Sequence, residues 1–231
     1  MEKDILFEFI STAILLLLGG GVNANVSLKN TLGNKSGWIV TTFGWGLSVF
    51  VAAFIAWPFS GAHLNPAVTI GLAIAGSFKG NIVGYIVAQL LGAILGASLV
   101  YLMYKPHFDA EDNPDVKLGV FSTGPAIKSY FHNFISEVIG TFVLIFGILM
   151  AAGAEIAGPL PVALLIVVIG MGLGGTTGYA INPVRDLGPR IVHFLMPIKG
   201  KRDSNWGYSW IPVVAPIVGC ALAALLYIAV S

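Results

Sequence analysis

Two stretches of the chain place an Asn-Pro pair inside an apolar region: residues 60–68 read SGAHLNPAV, and residues 177–185 read TGYAINPVR. The two stretches align without a gap at an offset of 117 residues. Asn is a favoured N-cap residue, and Pro is a favoured first residue of a helix. Each stretch therefore predicts a helix that begins at its proline, Pro66 or Pro183, directly after a non-helical loop.

The first pair lies in a run without Asp, Glu, Lys or Arg that is too long for one membrane helix. Residues 36–78 form this run of 43, and a single helix of that length, at about 1.5 Å per residue, is about twice as long as the bilayer core is thick. Pro58, Ser60-Gly61 and the Asn-Pro pair predict a break between a span over residues 38–57 and a short helix over 66–75. Because so short a helix does not cross a bilayer, we expect a re-entrant half-helix.

The composition places the whole chain in a membrane. The 231 residues are 56% hydrophobic and only 10% charged, whereas a soluble domain is about 25% charged. The charge-free runs that are long enough to hold a span are residues 9–28, 36–78, 80–104, 138–154, 156–184 and 204–231. A net charge of +1 and a single cysteine argue against a nucleic-acid partner and a disulfide framework. We find no catalytic or metal-binding pattern, so neither enzyme activity nor a cofactor is expected.

The Asn-Pro stretches belong to a longer internal repeat. Upstream, residues 8–12 (EFIST) pair with residues 137–141 (EVIGT), and downstream Gly92 pairs with Gly219.

The repeats cover about residues 1–104 and 130–231 and are joined by a loop over about 105–129. Each repeat holds three spans and one half-helix. Because three is odd, the second repeat enters the membrane from the opposite side. The sequence predicts an all-α membrane protein with six transmembrane helices and two re-entrant half-helices in an inverted repeat.

Two half-helices that start near the midplane bring two positive dipole ends and two amides, Asn65 and Asn182, to the centre of the membrane. Cations and protons are repelled there, whereas water or a neutral hydroxyl solute accepts hydrogen bonds. Irregular backbone at this depth is tolerated only where it is buried or lines an aqueous cavity. The residues before the two asparagines are therefore expected to line a pore or support its loops: His63, Leu64, Ala180 and Ile181.

Both motifs resemble the signature loops of the aquaporin and glycerol-facilitator family. The first is carried by residues 60–69 (SGAHLNPAVT) and the second by residues 182–189 (NPVRDLGP), and the resemblance covers essentially the whole chain. It implies the aquaporin fold, a multi-pass protein of the plasma membrane with both termini in the cytoplasm and residues 105–129 outside. It also implies a homotetramer in the lipid bilayer, with one pore in each subunit.

The resemblance further implies the residues of the pore. The selectivity filter falls on Trp45, Gly170, Tyr179 and Arg185. The central constriction falls on Asn65, Asn182, Ala67 and Val184. A water-selective member of the family is expected to carry His at position 170, so Gly170 favours the glycerol branch, as does Asp186 directly after the filter arginine.

Two residues depart from the family pattern. Val184 replaces the usual Ala of the second motif and adds two methyl groups near the central constriction. Tyr179 replaces the usual Phe of the glycerol branch and adds a hydroxyl to the aromatic corner. We expect these two departures to shift the preference among small uncharged solutes, for instance toward carbonyl-bearing solutes or small acids that cross in protonated form.

Two acidic residues, Glu8 and Glu137, stand near the starts of the first and fourth spans. A coupled transporter would use them as a proton relay, whereas a channel would use them to accept hydrogen bonds from the re-entrant loops. We favour the second role because no His or Lys partner is evident in the spans. The sequence therefore predicts a passive channel for glycerol, water and other small uncharged solutes. An ion-coupled transporter, and a water-selective or poorly conducting structural protein of the same fold, are the alternatives.

The charge distribution argues against the orientation that the resemblance implies. With cytoplasmic termini, the inner loops hold only Lys3 and Lys79. The outer loops then hold Lys29, Lys35, Lys105, Lys117, Lys128, Lys199, Lys201 and Arg202. The positive-inside rule favours the opposite orientation.

Labelling from one side of the membrane tests the orientation. Lys35→Cys and Lys79→Cys variants are treated in intact cells with a membrane-impermeant maleimide, and wild type, whose single Cys220 lies in an apolar run, serves as the background control. The resemblance predicts labelling at position 35 alone. Labelling at position 79 alone would show that the charge rule determines the orientation.

Overall fold

The computed structural model describes residues 2–151 and 158–231. Within them the chain forms nine helices and no strand: α1 (Lys3–Ser27), α2 (Trp38–Ser60), α3 (Pro66–Ile74), α4 (Ile82–Ala110), α5 (Pro114–Phe121), α6 (Tyr130–Ala151), α7 (Pro159–Leu173), α8 (Pro183–Leu195) and α9 (Ile211–Val230). Among the described residues, α1, α2, α4, α6 and α9 are long and apolar enough to cross a membrane, and α7 is a shorter apolar helix. The end of the predicted run 138–154 lies outside the described residues.

The two half-helices begin where the Asn-Pro pairs predict. Helix α3 has 9 residues and α8 has 13, and each has its asparagine as N-cap and its proline at the first helical position. Each is shorter than the roughly 20 residues that a membrane span needs. Neither helix is therefore long enough to cross a membrane by itself.

The break after the second span falls later than the sequence predicts. Helix α2 continues through Pro58 to Ser60 and ends at Gly61, whose φ of +76° is left-handed. Proline lacks only one backbone donor and is tolerated in membrane helices, whereas a left-handed residue stops the helix and is least costly as glycine. The helix therefore stops at Gly61 and not at Pro58.

Each half-helix packs against the last span of the other half of the chain. Helix α1 packs against α2 and α4, α6 packs against α9 and α7, and the halves meet where α2 contacts α7. Half-helix α3 lies against α9, the last span of the second half, and α8 lies against α4, the last span of the first half. Each half-helix thus ties its own half to the other.

Two glycines at matched repeat positions allow the closest helix contacts. A Cβ atom on Gly92 would lie 2.4 Å from the carbonyl oxygen of Phe9, and one on Gly219 would lie 2.5 Å from that of Val138. No real Cβ atom tolerates such a contact with backbone, so α4 on α1, and α9 on α6, approach as closely as they do only because these residues have no side chain.

The segment between the halves is more ordered than a loop. Helix α4 extends to Ala110, and α5 occupies residues 114–121. Helix α5 begins at a third Asn-Pro pair, and the Asn113 side chain accepts a hydrogen bond from the Asp115 amide at 2.9 Å. We call the surface formed by residues 28–37, 111–129 and 196–210 the α5 face.

Substitution of the two matched glycines tests this packing. Gly92→Ala and Gly219→Ala should each destabilise the protein by about 1–3 kcal/mol, because the added methyl forces two helix backbones apart. The measurement is thermal unfolding in detergent. The control is Gly172→Ala, where an added Cβ atom meets nothing within 4 Å in the chain. An equal shift for all three variants would contradict close packing at these two sites.

Candidate functional site

The two loops that precede the half-helices share one backbone conformation. In residues 61–64, φ is positive at the first, second and fourth positions (+76°, +56° and +55°), and in residues 178–181 it is positive at the same positions (+83°, +39° and +42°). Only the first position of each loop is glycine. A left-handed conformation costs a non-glycine residue roughly 1–2 kcal/mol, so contacts around the loops must stabilise both.

Glu8 of α1 supplies these contacts to the first loop. Its Oε1 accepts hydrogen bonds from the His63 amide at 2.8 Å and the Ser60 hydroxyl at 2.7 Å. Its Oε2 accepts from the Leu64 amide at 2.7 Å and the Gln89 side-chain amide at 2.8 Å. The carboxylate is fully buried, and both of its oxygens are occupied by partners.

Glu137 of α6 does the same for the second loop. Its Oε1 accepts from the Ala180 amide and its Oε2 from the Ile181 amide, both at 2.9 Å. The two acids thus make equivalent contacts in the two repeats.

His63 both contacts the cavity and anchors its loop. Its Nδ1 lies 3.0 Å from the Thr69 hydroxyl, which also accepts a hydrogen bond from Gln89. Its ring packs against Phe78 and Tyr85. Gln89 and Thr69 are not among the residues predicted from the sequence. The features that could have indicated them are the single Gln in the charge-free run 80–104 and the hydroxyl residue four positions after Asn65.

The two pore asparagines cross-link the loops reciprocally. The Asn65 Nδ2 donates to the Ile181 carbonyl and the Asn182 Nδ2 donates to the Leu64 carbonyl, each at 2.9 Å. Each Oδ1 caps its own half-helix, at 2.8 Å from the Ala67 amide and 3.1 Å from the amide of residue 184. Because an amide nitrogen carries two hydrogens, one hydrogen of each asparagine remains for a solute.

A cavity of about 280 Å³ runs past both asparagines. Its wall is mostly apolar and comes from α1, α2, α3, α6, α7 and α8 and from the two loops before the half-helices. The polar and aromatic side chains that line it include Trp45, His63, Asn65, Tyr179, Asn182 and Arg185. A mostly apolar cavity with a few converging polar groups is typical of a binding or conduction site for a small molecule.

Trp45 and Arg185 meet at one end of the cavity. The guanidinium carbon of Arg185 lies 3.9 Å from the centre of the Trp45 ring, which is a cation–π contact. An Nη1 atom of Arg185 is 3.5 Å from the Phe121 carbonyl oxygen. Although the Arg185 side chain is buried, the Trp45 ring and the Phe121 carbonyl oxygen stabilise its positive charge in the wall of the cavity.

Tyr179 occupies the space beside Gly170. A Cβ atom at position 170 would lie 2.8 Å from Cζ of the Tyr179 ring, and Gly170 itself does not line the cavity. The Trp38 ring packs edge-on against Tyr179, with ring centres 5.8 Å apart, and its indole nitrogen donates to the Gly170 carbonyl at 3.0 Å. The space that the glycine leaves free is thus taken by an aromatic ring, and the glycine does not widen the pore by itself.

Ala67 and Val184 do not lie where the sequence reading placed them. Both are buried in the packed core, and neither lines the cavity. The residue three positions after each asparagine, Val68 or Arg185, faces the cavity instead. The reason is the turn of the half-helix, which directs the second residue after the asparagine away from the pore.

Asp186 supports the structure and does not line the cavity. It is fully buried and accepts from the Thr123 amide and hydroxyl at 2.8 and 2.7 Å. It also forms an ion pair with the buried Arg190 at 2.8 Å. Arg190 in turn donates to the carbonyls of Thr123 and Ser204. This network fastens α8 to the α5 face.

The chain matches the family described as Major intrinsic protein over residues 1–227. It belongs to this family. A probable glycerol uptake facilitator protein of Thermotoga maritima is 53% identical over 96% of this chain and 97% of its own length. A glycerol uptake facilitator protein of Bacillus subtilis is 56% identical over 95% of this chain and 82% of its own length.

A solved structure of a major intrinsic protein relative shows the same fold. The aquaglyceroporin from Plasmodium falciparum superposes with a TM-score of 0.87 at 34% identity, covering 99% of this chain and 96% of its own. The predicted aquaporin-like fold is therefore confirmed. Membership in a family of membrane channels also confirms the prediction of a multi-pass channel and not an enzyme.

Breaking the buried ion pair tests the role of Asp186 in stability. Asp186→Ala leaves Arg190 buried without its counter-charge, which should cost about 3–5 kcal/mol and lower the thermal unfolding temperature in detergent. Asp112→Ala is the control, because it breaks an exposed pair on the α5 face in which the hydrogen bond from Lys29 lowers the pKa of the Asp112 carboxyl. No measurable shift is expected for that variant, and equal shifts for both would contradict the assignment.

Proposed function

We propose that the protein is a passive channel through which glycerol, water and other small uncharged solutes diffuse across the plasma membrane, while ions and protons are excluded. The single observation that carries the proposal is the cavity that passes two cross-linked, asparagine-capped half-helices and ends at Trp45, Tyr179 and Arg185. The relatives named as glycerol uptake facilitators support glycerol as a solute.

The filter residues suit a molecule with one apolar and one hydroxyl-bearing side. The Trp45 and Tyr179 rings offer an aromatic corner to a carbon backbone, and the Arg185 guanidinium offers hydrogen-bond donors to hydroxyls. The second, free hydrogen on each pore asparagine continues the line of donors toward the middle of the membrane. Glycerol has a carbon backbone on one side and hydroxyls on the other. Contacts with the aromatic rings and with the hydrogen-bond donors therefore replace the water that it loses along the whole path.

Exclusion of cations and protons follows from the half-helices. Both N-termini point at the middle of the cavity, and their dipoles make the centre positive. The Oδ1 atoms of Asn65 and Asn182 already accept hydrogen bonds from the half-helices, so only the Nδ2 groups, which are donors, can face a solute. A cation finds no counter-charge there that compensates for its lost hydration.

The contacts of the buried acids weigh against a coupled transporter. A proton relay needs Glu8 or Glu137 to take up and release protons. Both oxygens of each carboxylate hold loop amides. Protonation would remove acceptors from the loops that shape the pore.

We propose the family assembly and orientation for this chain: repeats over about 1–104 and 130–231, a homotetramer in the lipid bilayer, cytoplasmic termini and an outer segment over 105–129. Five of the eight basic side chains counted against this orientation are engaged by acceptors in the chain, four of them on the α5 face and Lys105 near the end of α4. Ion pairs with carboxylates are formed by Lys29, Lys105 and Arg202. Lys117 donates a hydrogen bond to one backbone carbonyl, and Lys201 donates hydrogen bonds to three. The count of basic residues therefore overstates the free positive charge on that face.

Stopped-flow light scattering on proteoliposomes tests the function. Under an inward glycerol gradient, wild type should re-swell rapidly without any ion gradient, and under a sucrose gradient it should shrink rapidly. Arg185→Ala should lower the selectivity for glycerol over a larger sugar alcohol about tenfold, because a hydrogen bond from a charged donor is worth roughly 1.5–3 kcal/mol. The matched control is Arg202→Ala, which removes an exposed arginine of the α5 face.

The same assay separates the alternatives. Rapid shrinkage in sucrose without glycerol entry would identify a water-selective channel, and no flux of either kind would favour a structural or coupled protein. Tyr179→Phe should change the ratio of acetamide to glycerol permeability, since the Tyr179 hydroxyl is buried without a partner in the described chain. An unchanged ratio would remove the hydroxyl from the account of solute preference.

A further inference from the structure

Trp45 is held by a side chain that does not line the cavity. Its indole nitrogen donates a hydrogen bond to Oδ1 of Asn23 at 2.9 Å, and both side chains are buried. Asn23 lies near the end of α1, in a run without charges. The indole N–H, the one polar group of this filter residue, is thus directed into the protein and away from the solute path.

Asn23 connects Trp45 to α5. The Asn23 Nδ2 lies 3.3 Å from the Val120 carbonyl oxygen and 3.5 Å from that of Gly119. The amide therefore accepts from the filter on one side and donates to the outer segment on the other. Each of its polar atoms has a partner.

The position of the Trp45 ring is restricted from two further sides. A Cβ atom on Gly19 would lie 2.4 Å from ring atom Cζ3, so the ring lies directly against the backbone of α1. Arg185 covers the ring at 3.9 Å. With the ring confined between these groups, the hydrogen bond to Asn23 fixes the direction in which the indole N–H points and so restrains the side-chain torsions of Trp45.

We propose that Asn23 is a positioning residue that determines the solute selectivity of the pore through Trp45. The inference rests on the proposed function, because it concerns the filter of that same channel. Without the Asn23 acceptor, the buried indole N–H has no partner in the protein and turns toward the pore, where it finds water or solute. The opening between Trp45 and Arg185 then changes in shape, and a new donor enters the path.

A double-mutant cycle tests the inference. Asn23→Leu, which keeps the approximate volume and removes the acceptor, should change the ratio of glycerol to water permeability about two- to tenfold, the range that corresponds to one buried hydrogen bond. Trp45→Phe removes the donor. In the Trp45→Phe background, Asn23→Leu should have no further effect on the ratio, because Asn23 acts through the indole.

Asn25→Leu is the matched control. Asn25 lies two residues further along α1 and also holds an outer loop, since its Oδ1 accepts from the Gly33 amide at 3.1 Å, but it makes no contact with Trp45. Its permeability ratio should equal that of wild type. Equal changes for both asparagine variants, or additive changes of Asn23→Leu and Trp45→Phe, would overturn the proposal.

A second measurement does not depend on conduction. The chain has five tryptophans, and Trp45→Phe assigns one of the five indole N–H signals in an NMR spectrum of the ¹⁵N-labelled protein in detergent. That proton should exchange with deuterium more slowly than the proton of the half-exposed Trp206. It should exchange about two- to tenfold faster in Asn23→Leu than in wild type, as the loss of one buried hydrogen bond implies.

The two measurements separate the inference from the proposed function. If wild type conducts no glycerol, the proposed function fails, and slow exchange of the Trp45 proton in wild type still supports positioning by Asn23. If wild type conducts but Asn23→Leu leaves both the ratio and the exchange rate unchanged, the inference fails and the channel stands. Rapid exchange in wild type would overturn the inference even if Asn23→Leu does not fold.

Discussion

Every backbone polar group at membrane depth needs a partner, and in this protein that constraint falls on two four-residue loops. Their left-handed residues turn N–H groups toward buried carboxylates, so Glu8 and Glu137 replace the hydrogen bonds that a helix would make internally. The asparagine side chains complete each loop with a bond to the carbonyl of the other. Removing any of these acceptors would leave unpaired groups where no bulk water reaches them, so the pore depends on the acids that lie outside it.

The filter is built in the same manner, from residues that touch the solute and residues that hold them. Trp45 depends on Asn23 and Gly19 of α1, and Arg185 depends on the ring of Trp45 and on a carbonyl at the end of α5. Helix α5 therefore contacts Asn23, which holds Trp45, and also contacts Arg185 directly, and these two filter residues come from different halves of the chain. The proposed filter is therefore held by α5 as well as by the helices of the cavity wall.

Much of the site was predictable because local rules act on short stretches. Capping chemistry predicts where α3 and α8 begin, and the repeat predicts that Glu8 and Glu137 serve equivalent loops. The errors occurred where the direction of a side chain depends on its neighbours. Val184 was expected in the pore, but the turn of α8 directs it into the core. Gly170 is predicted as a filter residue, but it does not line the cavity, and the Tyr179 ring takes up the space beside it. Helix α5 begins at a third Asn-Pro pair, so the local capping rule applies to it as well.

The sequence by itself determined the membrane class, the inverted repeat and the identity of the pore asparagines, because hydropathy, chain length and helix capping depend on neighbouring residues alone. Only the tertiary structure decided which side chains line the cavity and what holds them in place. The hydrogen bond from Trp45 to Asn23 joins residues 22 positions apart in the chain. The hydrogen bonds from Asn65 and Asn182 to the carbonyls of the opposite loop join residues 116 and 118 positions apart. No local pattern encodes such a pairing, since it arises only when helices from both halves pack around one cavity.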